Sequence, residues 1–167
     1  MSHETPGLSD EWFTPKYIFD ALGESFDLDP ASCESEFIYV PSKRYFTILD
    51  DALTQEWSGF IWLNPPFGKS SDKEAWFDKF FNHEGGGIAL SPCRGGTKWW
   101  HTNLQKADAV LFINKRISFI QPNGEPKKGN TVGTCLWAKG QRAIEALQKA
   151  SESGLGETII LKGNALP

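Results

Sequence analysis

The stretch IWLNPPF, residues 61–67, decides how this chain is to be read. Ile61, Trp62 and Leu63 form a continuous apolar run, which predicts a strand buried on both faces. The run stops at once in an amide and two prolines. Each proline fixes its own φ and restricts the residue before it, so the Asn64 side chain and the Pro65 carbonyl are held as two converging acceptors. That pair suits an exocyclic NH2 group. Phe67 adds a flat apolar face on which a heterocycle can stack, a contact worth roughly 1 to 3 kcal/mol for a nucleobase. The alternative is a proline turn with Asn64 capping something local.

Working outward, short strands alternate with helices. TPKYIFDALG (14–23) places Tyr17, Ile18, Ala21 and Leu22 at helical spacing, with Thr14-Pro15 as cap and first turn and Gly23 as the stop. SFDLDP (25–30) predicts a brief strand. SDKEAWFDKFFNHEGGG (71–87) predicts a helix capped by Ser71 or Asp72, with Trp76, Phe77, Phe80 and Phe81 as its apolar stripe and glycines at its end. GIALSP (87–92) and DAVLFIN (108–114) are further strands, separated by a helix in GTKWWHTNLQKA (96–107). RISFIQPNGEPKKGNTVGTCLWAK (116–139) predicts two strands around a long loop, a late hairpin. QRAIEALQKASES (141–153) and ETIIL (157–161) close the pattern as an amphipathic helix and a last strand. The expected fold class is α/β, a mostly parallel sheet with a late antiparallel hairpin and helices on its faces. Ligands in such sheets lie beyond the carboxyl ends of the strands, where Asp29, Asn64 and Ser91-Pro92 fall.

At 167 residues, 40% of them hydrophobic and 23% charged, the chain suits one domain spanning residues 1–167, with no separate target-recognition domain. Cys33, Cys93 and Cys135 are odd in number and make no CxxC pair, which argues against a disulfide framework and for a reducing, cytoplasmic setting. No apolar run approaches membrane-spanning length. His3, His83 and His101 stand in no metal-ligand spacing, so no metal is expected. CRGGTKWW (93–100) lacks the spacing of a phosphate-cradling GxxxxGK[ST] loop. The net charge is -4, but it is uneven: residues 1–60 carry 12 acids and 3 bases, residues 61–167 carry 9 acids and 14 bases. The second part can face a polyanion.

NPPF resembles the Asn/Asp-Pro-Pro-Tyr/Phe motif of DNA amino-methyltransferases, and the wider sequence resembles the phage-type DNA N6-adenine methyltransferases. EWFTPKYIFDAL, FDLDPAS, KRYFT, DDALTQEW, FIWLNPPFG, LSPCRGGTKWWH and NKRISFI occur in that family's order and approximate spacing, over residues 11 to about 120. The resemblance implies a compact Rossmann-like methyltransferase, phage or prophage encoded and acting in the bacterial host cytoplasm. It implies S-adenosylmethionine as methyl donor and DNA as partner, with a flipped-out adenine as acceptor. Asn64, Pro65, Pro66 and Phe67 would be catalytic. Asp27 or Asp29, with Pro30, would meet the donor, walled by Trp12, Thr14 and Pro15; no glycine-rich turn follows Asp29-Pro30. Asp50 or Asp51 would approach the adenine or the donor's adenosine. On the uneven charge and the loop reading, Arg94, Thr97, Lys98, Lys115, Arg116, Lys127 and Lys128 would contact DNA phosphates, with Lys127 and Lys128 on a long loop that would act as a mobile arm over DNA. Methylation of cytosine N4 or another amino nitrogen is the alternative chemistry, because two acceptors read an NH2 and not its ring. A catalytically idle DNA-binding relative is the alternative class.

Overall fold

The computed structural model describes residues 12–67 and 72–161. Seven strands form one sheet: β1 (Phe26–Asp29), β2 (Ser42–Tyr45), β3 (Ile61–Leu63), β4 (Gly87–Pro92), β5 (Ala109–Ile113), β6 (Thr134–Lys139) and β7 (Gly156–Ile160). Four helices accompany them: α1 (Lys16–Leu22), α2 (Lys73–Asn82), α3 (Lys98–Lys106) and α4 (Gln141–Glu152). A 3-10 turn, Ile48–Asp50, lies between β2 and β3. The spatial order is β2-β1-β3-β4-β6-β5-β7.

Strands β2, β1, β3 and β4 pair in parallel, whereas β6 pairs antiparallel with β4 and β5, and β7 antiparallel with β5. The sheet is therefore evenly mixed and not mostly parallel. The late antiparallel pair is β5 with β6, and the expected strand at residues 116–121 does not form. Ile117 is fully buried, Asn130 donates to its carbonyl at 3.0 Å, and Ile120 makes single bridges to Phe13 and Pro126. Anchored at these points, the 114–133 connection cannot run as a ladder beside β6. Strand β2 went unpredicted because its residues, Ser-Lys-Arg-Tyr, are an exposed sheet edge without apolar alternation.

Each face of the sheet has its own core. One joins Ile18 and Leu22 of α1 and Ala143 and Leu147 of α4 to Phe26, Trp62, Leu90 and Leu136 of the sheet. The other joins Phe77 and Phe80 of α2 and Trp99 and Trp100 of α3 to Ile61, Leu63, Val110 and Trp137. In β3 the alternation of side chains sends Trp62 to the first core and Ile61 and Leu63 to the second, which is why this strand reads as continuously apolar.

Local signals place the helix ends. Asp72 caps α2, accepting from the Ala75 N–H at 3.1 Å; Ser71, its rival, lies outside the described residues. Helix α2 ends at His83, and the glycines expected to stop it serve the next strand instead. A Cβ on Gly87 would stand 2.2 Å from the Ile61 carbonyl oxygen, so only glycine lets β4 lie this close to β3. Helix α1 ends on left-handed Gly23 as expected, but Pro15 occupies its N-cap position and no side chain caps it. The Thr14 hydroxyl is used elsewhere.

Candidate active site

The chain passes from β1 outward to β2 and then returns to set β3 on the other side of β1, so the strand order reverses between β1 and β3. A crevice opens beyond the carboxyl ends of strands at such a reversal. Here it is a cavity of about 590 Å3, lined by residues that include Trp12, Thr14, Asp29, Pro30, Asp51, Asn64, Pro65, Pro66, Phe67 and Lys127.

Asn64 leaves the end of β3 half-buried, followed by buried Pro65, exposed Pro66 and half-buried Phe67. Its Nδ2 donates to the Trp12 carbonyl at 3.1 Å and to the Thr14 hydroxyl at 3.2 Å. A backbone carbonyl can only accept, which fixes which end of the amide faces residues 12–14. That leaves Oδ1 as the acceptor end of the amide, turned away from residues 12–14. The 12–14 segment is itself held: Phe13 and Ile120 exchange two backbone hydrogen bonds of 2.9 Å. The N-terminal segment and the 114–133 connection thus form one wall.

Asp29, the last residue of β1, is 3% exposed. Its Oδ1 accepts from the Ala31 N–H at 3.2 Å and its carboxyl is also bonded by Ser32. Burial outweighs these bonds and pushes the carboxyl up to about 7. Asp27 is set two residues back along β1 and does not reach the cavity. It accepts from Lys43 at 2.8 Å and from the Phe60 N–H at 2.8 Å, and those bonds lower its pKa. Its place is in an ion pair at the sheet's edge, so of the two candidate donor ligands only Asp29 faces the cavity. Pro15 lies outside the cavity lining, at the start of α1.

The pair Asp50 and Asp51 divides in the same way. The Asp50 carboxylate closes back on the Thr47 N–H at 2.7 Å and the Thr47 hydroxyl at 3.0 Å. Asp51 adopts φ 47°, the left-handed region that Asp tolerates better than most residues, and lines the cavity.

Among the basic residues expected on DNA, Lys127 lines the cavity, its Nζ 3.8 Å from the centre of the Trp12 ring. Lys128, Arg94 and Lys98 are exposed and outside it. Lys115 sits 4.3 Å over the Tyr17 ring. Arg116 lies beside Gly133, where a Cβ would stand 2.9 Å from its Nη1. Thr97 holds the β4–α3 connection, its hydroxyl donating to the Arg94 carbonyl at 2.7 Å. Sequence reasoning missed several lining residues, among them Ser32, Tyr39, Thr47 and Asn130. Ser32 and Thr47 end the stretches FDLDPAS and KRYFT, but nothing local marks any of the four as a lining residue; the tertiary fold brings them together.

No helix among the described residues is long and apolar enough to cross a membrane, and no group of three or more potential metal ligands occurs among them. No curated protein and no solved structure matches the chain. The model of the DNA N-6-adenine-methyltransferase (Dam) family matches residues 1–148, most of the length. Asn64 and Pro65 at the end of β3 and Asp29 at the end of β1 line one cavity within that match, and the chain belongs to the Dam family of DNA adenine N6-methyltransferases.

Proposed function

We propose that the chain transfers the methyl group of S-adenosylmethionine to N6 of an adenine turned out of the DNA duplex, with both held in the cavity at the β1/β3 reversal. The observation that carries this reading is the Asn64 amide at the end of β3, tethered through Nδ2 to Trp12 and Thr14, which leaves Oδ1 as its acceptor; the Pro65 carbonyl supplies the second. Two acceptors on the adenine NH2 favour the tetrahedral form of a nitrogen whose lone pair is otherwise delocalised into the ring. They also stabilise the positive charge that develops there during transfer. Phe67 supplies the stacking face that offsets part of the cost of leaving the stack.

The donor brings an already activated sulfonium methyl, so the protein's task is alignment and exclusion of water. The residues present fit it. A cavity of about 590 Å3 is in the range of small-molecule sites, and its lining is mostly apolar with few polar groups. Asp29 and Asp51 face the donor's ammonium and hydroxyl groups, and the backbone of residues 12–14 walls the same space. We assign Arg94, Thr97, Lys98, Lys115, Arg116 and Lys128 to DNA phosphates, with Lys127 at the rim where donor and DNA meet. The fold is best read as a compact Rossmann-like methyltransferase forming a single domain. The three cysteines, none in a disulfide, agree with a reducing host cytoplasm, and the resemblance supports a phage or prophage origin.

Incubation of the protein with methyl-labelled donor and DNA, followed by digestion to nucleosides, tests the reading. Label in N6-methyladenine is expected. Label in N4-methylcytosine, or none in a protein that is folded, would overturn it.

A further inference from the structure

We propose that Leu49, with Ile48 as its shoulder, is the wedge that enters the base stack at the place the target adenine vacates. The inference rests on the proposed extrusion of that adenine. Ile48 is 83% exposed and Leu49 93%, well above the next exposed large apolar side chains, Ile159 at 50% and Tyr45 at 48%. One exposed leucine on a protein surface is ordinary. Two branched aliphatic residues in succession, on the rim of a cavity that receives a DNA base, are not.

The turn that carries them is built to stay put. The Thr47 hydroxyl accepts from the Leu49 N–H at 3.3 Å, Asp50 returns a bond of 2.7 Å to the Thr47 N–H, and Gln55 donates to the Asp50 carbonyl at 2.8 Å. Asp51 then reverses the chain at φ 47°, with the Thr54 N–H on its carbonyl at 2.9 Å. A capped, strained turn that holds two apolar side chains in water gains nothing in the isolated protein. Thr47, Ile48 and Asp51 line the cavity, whereas Leu49, next to them in the turn, is outside the lining and open to solvent.

The chemistry of the turn selects the occupant. Asp50 and Asp51 follow the aliphatic pair, and the Asp50 carboxylate is turned back onto the Thr47 N–H and hydroxyl, so the groups the tip of the turn offers are apolar and suit bases, not phosphates. A second copy of the chain is a poor occupant, because two side chains fall far short of the roughly 800 Å2 per partner of a stable interface. Apolar wedges of this kind enter base steps from a bound protein and unstack them.

The test uses the full chain and a duplex carrying a target site mapped by locating N6-methyladenine in DNA modified by the wild type. With 2-aminopurine in place of the target adenine, the wild type should raise the fluorescence and Leu49→Ala should largely fail to. On the paired adenine duplex, kcat/KM of Leu49→Ala should fall about ten- to hundredfold, as expected when a step must be unstacked without a wedge. It should return to within about twofold of the wild type when the adenine faces an abasic site, where little stacking is left to break. Leu49→Met should retain most activity on both duplexes, and donor affinity measured by calorimetry should be the same in all three proteins. Equal loss on both duplexes, no loss on either, or a weakened donor affinity would overturn the wedge. A wild type that gives no fluorescence change would instead sink base extrusion itself, a result distinct from a normal wild-type signal that Leu49→Ala reproduces.

Discussion

Asn64 carries the most exposed claim at the scale of single residues. Its Nδ2 is occupied by Trp12 and Thr14, so the part proposed for it in the transfer falls to Oδ1. Asn64→Ala should lower turnover by at least about a hundredfold, the scale of losing one preorganised transition-state contact. Donor affinity in the folded variant should change little by calorimetry. Near-normal turnover would remove Asn64 from the reaction. Phe67 is half-buried, packed against the core under α2 and α3, yet lines the cavity, so packing and stacking compete as its role. Phe67→Trp keeps a stacking face and should retain most of the activity, while Phe67→Ala should raise KM for DNA by about tenfold, one stacked base being worth 1 to 3 kcal/mol. Equal loss in both variants would mark a packing role.

At the scale of elements, the 114–133 connection works as part of the cavity wall. Its middle is sewn to the N-terminal segment through Phe13 and Ile120, and the Lys127 N–H donates to the Phe119 carbonyl at 2.7 Å. Lys128 and Arg116 face outward from it, and both are exposed. Replacing both with Ala should weaken binding to all DNA sequences alike and flatten the slope of log affinity against log salt by about 1 to 2 units, one released counterion for each lost phosphate contact. An unchanged slope in a salt titration would move the phosphate contacts to Arg94, Lys98 and Lys115.

At the scale of the whole molecule, the cavity imposes a pH dependence on folding. The Asp29 carboxyl stands at about 7 in the folded protein against an ordinary value of 3.8, because it is buried. The folded state therefore binds more protons than the unfolded state between those values. Stability from this group is complete below about 4 and is lost as pH rises through about 7. The full effect is on the order of a few kcal/mol. Asn cannot titrate, so Asp29→Asn isolates the effect: urea midpoints of the wild type should fall relative to this variant between pH 5 and pH 8. Parallel profiles would show that the Asp29 carboxyl is not shifted. Asp27 works in the opposite direction, its pKa lowered by Lys43, but at an exposed ion pair its contribution is small.

The sequence by itself determined what depends on neighbours along the chain. Continuous apolar runs marked β3, β4 and β5, Gly23 stopped α1, Ser71 or Asp72 marked the start of α2, and the prolines after Asn64 marked the end of a strand. These signals are legible because propensity, capping and fixed φ act within a few residues. Only the tertiary structure decided what depends on partners distant in sequence. Asp27 and Asp29 are equivalent acids in a row, and it is Lys43, the Phe60 N–H and the reversal of strand order beside β1 that send one to an ion pair and the other to the cavity. Thr14 reads as a helix cap until Asn64, 50 positions on, takes its hydroxyl. Residues 116–121 have the apolar content of a strand, but a strand needs an edge to pair with, and both edges of β6 are already taken by β4 and β5. Pairing and burial are settled by what the rest of the chain leaves free, which no local pattern records.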